Sequence, residues 1–208
     1  MIKALFLIFE PLAAWNRIAE SRRGSGFIFA FYLLPMMLIV LGAEGYSLVK
    51  WGRPQSGTGT MKFFSVNEAV SWETVQFLFL LLVIAICAHF VRLLCDTFNR
   101  GHAYTQGFAV VVYGLGPYFL LRLFNMFPGV NPWLTWLFGV MLCVKILYHG
   151  VPRVMQPDPP HAFGLFLMTS LILIMATGIE RFVASAYLAG RIRPVSDIIQ
   201  SLAHHRPF

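Results

Sequence analysis

Three ionisable side chains interrupt long apolar runs: Glu44, Arg122 and Glu180. An ionised group at bilayer depth costs roughly 2.5–3.5 kcal/mol on the insertion scale, so each needs a partner or a task. Arg122 lies about six residues before a proline-glycine turn, or roughly 9 Å inside it by helical rise. If successive apolar runs alternate in direction, Glu44 and Glu180 fall in the same outer third of the membrane as Arg122. The expected arrangement is a buried bridge from Arg122 to one of the two acids. Such a bridge either lines a polar cavity as a ligand or ion-pair site, or serves as a structural ion pair.

Two further sets carry weaker signals. His89, Arg92 and Asp96 share one helical face and form a polar patch at the cytoplasmic end of their run. A proton relay through His89 is one reading, since histidine titrates near neutrality. An Arg92–Asp96 pair at i,i+4 is the simpler one. Tyr113, Gly114, Gly116 and Pro117 interrupt another run, where glycine permits close helix approach and proline frees a carbonyl. They are expected to form a packing kink, although broken helices also line binding sites in transporters. Lys145 is expected to snorkel towards the cytoplasmic interface.

Catalytic chemistry finds no foothold. His149, His161, His204 and His205 lack metal-ligand spacing, so no metal is expected. There is no H-E-x-x-H, G-x-S-x-G or phosphate-binding loop, and no cofactor or enzyme activity is expected.

The elements that must position these residues are membrane helices. Tyr104–Phe127 and Pro132–Val151 are apolar runs long enough to cross a hydrocarbon core, for which about 20 helical residues suffice. Between them, Pro128-Gly129-Val130-Asn131-Pro132 cannot continue a helix, so the pair is a transmembrane hairpin. Gly26–Val49 (with Pro35 inside it), Thr74–Leu94 and Phe163–Tyr187 supply three more spans. The loop from Lys50 to Ser71 starts with Gly, Pro and Ser, and Phe63, Phe64, Val66 and Trp72 place its second half against the membrane surface. Pro152–His161 holds four prolines and reads as an irregular linker.

Composition agrees. Of 208 residues 58% are hydrophobic and 12% charged, half the roughly 25% charged residues of a soluble domain. The net charge of +7 is scattered at run ends rather than gathered on a face with stacking aromatics, so nucleic acid is not an expected partner. Cys87, Cys95 and Cys143 lie within or at the end of apolar runs and read as small hydrophobes. Residues 1–23 are amphipathic. Six apolar residues after Lys3 are few for a signal peptide, so a helix lying in the interface is expected, with Trp15 at headgroup level. Residues 24–190 are expected to form the five-helix membrane domain, and 191–208 a mobile tail with a short helix over 195–203. Basic residues on the two sides nearly balance. Those just before the first span favour a cytoplasmic N-terminus, leaving the C-terminus outside.

The chain resembles the bacterial five-span members of the Ypt-interacting-protein (YIP) family. Phe9-Glu10-Pro11 through Trp15-Asn16-Arg17-Ile18-Ala19 is similar to the family's opening pattern. Tyr113-Gly114-Leu115-Gly116-Pro117-Tyr118 looks like its tyrosine-to-proline motif, and Phe127-Pro128 like its hairpin. Leu147-Tyr148-His149-Gly150-Val151-Pro152-Arg153-Val154-Met155 looks like its exit motif, with His149 where an apolar residue is more usual. The resemblance implies an all-α, integral membrane fold of five transmembrane helices with an N-terminal interfacial amphipathic helix. Eukaryotic relatives bind Rab-type GTPases, but the resemblance supports fold more than mechanism. The functional expectation is a non-enzymatic adaptor or scaffold in the cell membrane, with the lipid bilayer and other membrane proteins or further copies of itself as partners. The alternative is a small transporter or channel with its polar site at Glu44, Arg122 and Glu180.

Overall fold

The computed structural model describes residues 2–21, 23–54, 61–97, 104–189 and 191. Five helices are long and apolar enough to cross a bilayer: span 1 (Ser25–Lys50), span 2 (Val66–Asp96), span 3 (Tyr104–Met126), span 4 (Pro132–Met155) and span 5 (Pro159–Leu188). Two shorter helices precede them, α1 (Ile2–Phe9) and α2 (Pro11–Ser21). The fold is an all-α membrane bundle. Its one departure among the described residues is a two-residue antiparallel ladder, β1 (Arg53–Pro54) against β2 (Met61–Lys62), in the loop between spans 1 and 2.

Span 3 is the axis of the bundle. In its most apolar window 78% of residues are buried, against 28–39% in the other four spans. Those four keep broad lipid-facing stripes, such as Leu78, Leu82 and Ile86 on span 2 and Leu134, Phe138 and Met141 on span 4. A helix apolar all round belongs at the centre, and the Gly107–Gly116 stretch of span 3 fits that rule.

Local chemistry sets the ends. The hairpin turn closes where Asn131 accepts a hydrogen bond from the Trp133 N–H through its side chain (2.9 Å), and Pro132 takes the first helical position. Pro35 cannot donate to the carbonyl one turn back, and the helix ahead of it widens into a π turn over Phe29–Leu33.

Three expectations need correction. Span 2 begins at Val66 rather than Thr74, because Ser65 and Glu68 form a capping box: the Ser65 N–H donates to Glu68 Oε2 (2.9 Å) and the Glu68 N–H to Ser65 Oγ (3.2 Å). Phe64 and Trp72 therefore face protein, not the membrane surface. They pack with Leu48, Ala69 and Ala184, and Trp72 stacks on Tyr187 of span 5 at 3.9 Å. Span 4 runs through Pro152 to Met155, so only residues 156–158 remain irregular before a short 3-10 turn at Pro159–His161. A proline in the last turn disturbs few bonds, and Arg153 Nη1 donates to the His149 carbonyl there (2.9 Å).

The third correction concerns the N-terminal helices. Trp15 is fully buried, and its indole N–H donates to the Ile146 carbonyl of span 4 (3.1 Å). Its ring sits edge-on to Tyr113 of span 3, with centroids 6.4 Å apart. Ala4 and Leu7 are buried as well, while Leu5, Phe6 and Phe9 stay exposed. The amphipathic pattern is real, but its Trp face meets the bundle rather than headgroups. The expected tail helix over 195–203, residues 98–103 of the link between spans 2 and 3, and residues 55–60 of the loop lie outside the described residues.

Candidate functional site

The site forms where all five spans approach the turn between spans 3 and 4. Tyr118, Arg122 and Asn125 follow one another at helical spacing on span 3, so one face carries a phenol, a guanidinium and an amide. Arg122 is 2% exposed. Its Nε lies 3.0 Å from both Glu44 oxygens, and Nη2 donates to Glu44 Oε2 at 2.8 Å. On the other side Nη1 donates to Glu180 Oε1 at 3.1 Å. The arginine thus joins span 1 to span 5 through span 3, bridging both acids rather than one. The planar fork of arginine suits this double duty better than a lysine point charge.

Neutral groups complete both carboxylates. Tyr118 donates to Glu180 Oε2 (2.7 Å), and Gln76 of span 2 donates to Glu180 Oε1 (2.9 Å). Asn125 donates to Glu44 Oε1 (2.7 Å), and its own carbonyl Oδ1 accepts from Thr135 of span 4 (2.7 Å). The Asn125 main-chain carbonyl accepts from Arg53 Nη2 at 3.1 Å and from Ser47 Oγ at 3.4 Å. Every span contributes a bond. In a low-dielectric interior such bonds reinforce one another, and any group left out is costly.

Glu73, Arg53 and Arg181 lie beside this cluster, with fewer of their polar atoms bonded. Both Glu73 oxygens, Arg53 Nε and Arg181 Nε are buried without a hydrogen bond. They border a void of about 10 Å³ that Glu44 and Gln76 also line. Burial draws the Arg53 pKa below the ordinary arginine value, with the Glu44 charge opposing the shift. Counted together, Glu44, Glu73 and Glu180 balance Arg53, Arg122 and Arg181 in formal charge. Glu73 also reaches the floor of a lipid-facing apolar groove of about 560 Å³ between spans 1 and 2, bordered by Gly42, Gly45 and Phe77.

The other sequence-derived sets sit elsewhere. Arg92 Nε and Asp96 Oδ2 are 3.7 Å apart on the outside of span 2, about half exposed, and His89 is exposed on the same helix. Tyr113, Gly114, Gly116 and Pro117 surround a turn at Leu115 that splits span 3 into two helical stretches. A Cβ at Gly114 would press on Leu147 of span 4, and one at Gly116 on the Tyr32 hydroxyl and Ala4. These glycines let spans 1 and 4 and α1 close on the axis. Lys145 is exposed on span 4. The three cysteines are buried and unpaired, and no cluster of metal-ligating side chains occurs among the described residues.

Sequence reasoning passed over Gln76, Tyr118, Asn125, Thr135 and Glu73. Tyr118 and Asn125 could have been found from their spacing to Arg122, and Glu73 with Gln76 from their i,i+3 pairing at the outer end of span 2. Chemically, the cluster holds charge in place. The voids beside Arg122 and Glu44 amount to about 10 Å³ or less, so the network is closed. The model of the Yip1 domain family matches residues 5–179. No curated protein and no solved structure matches the chain.

Proposed function

The chain belongs to the Yip1-domain family, and from that premise we propose that it is a non-enzymatic membrane adaptor or scaffold, acting by lateral association with other membrane proteins. The observation that carries this reading is the closure of the charge network. A carrier or channel needs its intramembrane charges beside a space that water or solute can enter. Here Arg122 spends its donors on Glu44, Glu180 and Tyr118 beside voids of about 10 Å³ or less. The polar site is a clamp that fixes five spans, and the surface left for function is the lipid-facing exterior.

The groove between spans 1 and 2 is the part of that exterior best shaped for a partner helix. Gly42 adds no side chain to it, and the groove is lined almost wholly by apolar groups such as Leu38, Val49, Val70 and Phe77, which suits close packing of a second helix. On this reading the protein lies in the cell membrane with α1 and α2 on the cytoplasmic side, supported by Arg17, Arg22 and Arg23 ahead of span 1.

The test is photo-crosslinking in native membranes from a probe at Gly42, with solute flux measured in liposomes holding the purified protein. A discrete adduct to one membrane protein, with flux at the background of empty liposomes, is the expected result. Flux that disappears in Arg122→Gln, with no discrete adduct, would replace the scaffold by a transport function.

A further inference from the structure

At the opposite end of the bundle from the charge clamp lies a cavity of about 470 Å³ that the clamp does not explain. Four elements wall it: α2, the start of span 1, the start of span 3 and the end of span 4. Its cations are Arg23, just ahead of span 1, and Arg153, in the last turn of span 4. Thr105 and Gln106 add polar groups from span 3, while Ile18 and Val154 give an apolar wall. Among the described residues no carboxylate lines it and neither guanidinium is ion-paired. Arg23 rests over the Phe27 ring at 4.7 Å, and Arg153 donates to Asn16 Oδ1 and the His149 carbonyl at 3.1 and 2.9 Å. Among the described residues, both charges are therefore without a carboxylate partner.

We propose that this cavity binds the headgroup of an anionic phospholipid, its phosphate between Arg23 and Arg153 and its first acyl carbons against the apolar wall. Three observations converge on that ligand. The cavity opens at the ends of spans 1, 3 and 4, which is headgroup depth. Two guanidiniums that meet no carboxylate among the described residues call for a phosphate-type anion, which arginine holds bidentately. The mixed lining suits a molecule that is ionic at one end and apolar at the other, and basic pockets between membrane helices recognise anionic headgroups on this principle. The α2 wall is held on span 4 by the Trp15 indole and by the Arg153–Asn16 bond, so lipid and N-terminal helices would hold one another in place.

The test uses the full-length protein in mild detergent, stripped of lipid and titrated with phosphatidylglycerol or phosphatidylcholine, with bound lipid counted by native mass spectrometry. Wild type is expected to retain phosphatidylglycerol in preference to phosphatidylcholine. The double variant R23Q/R153Q should lose roughly tenfold or more of that preference, and R23K/R153K should keep much of it. Arg92→Gln, which removes a charge on span 2 away from the cavity, should change nothing. Should the double variant fail to fold, R23Q alone removes an exposed side chain and must still weaken the preference. The proposal is overturned if R23Q/R153Q binds like wild type, or if Arg92→Gln loses as much. It is also overturned if millimolar inorganic phosphate displaces the lipid completely, which would make this a site for free phosphate.

Discussion

Arg122 is the residue on which the bundle depends, because its charge is acceptable only while Glu44 and Glu180 are both in reach. Removing it strands two carboxylates in a dry interior, and breaking a buried pair from one side costs about 3–5 kcal/mol. Arg122→Gln should therefore lower the thermal midpoint in detergent sharply. Arg122→Lys should recover little, since one ammonium cannot hold Glu44 with two nitrogens and still reach Glu180. If Arg122→Gln melts like wild type, the network is not what holds the spans. Glu44→Gln removes charge from a group that accepts from both Arg122 and Asn125 and should cost about 2–3 kcal/mol. Glu73→Gln should behave oppositely, because the Glu73 oxygens are buried without a hydrogen bond. Neutralising an unpartnered buried carboxylate should raise stability by about 1 kcal/mol, and a drop comparable to that of Glu44→Gln would show that Glu73 is paired in the membrane. Glu44, Arg122 and Glu180 were legible in the sequence because a charge inside an apolar run raises an alarm. Tyr118, Asn125 and Thr135 were not. Neutral polar residues are common in membrane helices, and only the fold reveals which of them face a charge.

Docking of α2 on span 4 turns on a pairing between one indole and one missing side chain. A Cβ at Gly150 would overlap the Trp15 ring. Its absence also uncovers the carbonyl one helical turn earlier, Ile146, whose second lone pair takes the indole N–H. Gly150→Ala should therefore cost about 1–3 kcal/mol through overpacking and expose α2 to limited proteolysis at Arg17. Combining it with Trp15→Ala should cost less than the two changes added together, as expected for side chains sharing one site. Strict additivity in that cycle would mean that the indole sits elsewhere. The sequence could not announce this contact. A tryptophan on an amphipathic helix reads as an interface anchor, and the glycine that receives it lies on another element far along the chain. The start of span 2 was different: Ser65-Val66-Asn67-Glu68 is a legible capping motif. It was passed over because the uninterrupted apolar run starts later, at Phe77. Span 4 ran past its expected end because proline forbids its own N–H bond but not a helix that is about to finish. The five spans themselves were legible from length and apolarity alone, which are what a bilayer selects.

At the scale of the molecule the two ends of the bundle are built differently. The end near Lys50, Gly129 and Leu188 is closed by balanced charge and by the Trp72–Tyr187 stack. The end near Arg23, Asp96 and Met155 is closed by α2 over an open, basic cavity. Because an odd number of spans separates Ser25 from Leu188, these ends must face different compartments if each span crosses fully. Single cysteines at exposed positions read this directly, since the native Cys87, Cys95 and Cys143 are buried. Trp51→Cys, Gly129→Cys and Arg191→Cys should react together with an impermeant maleimide added to intact cells. Arg17→Cys, Asp96→Cys and Pro160→Cys should react only after the membrane is opened, if the basic residues ahead of span 1 hold that end in the cytoplasm. The reverse pattern would keep the bundle and invert it, moving the arginine cavity to the outer leaflet. A mixed pattern, with Gly129→Cys grouping with Arg17→Cys, would break the bundle itself. The Arg122 clamp requires Glu44, Glu180 and the turn after span 3 to meet at one depth on one side.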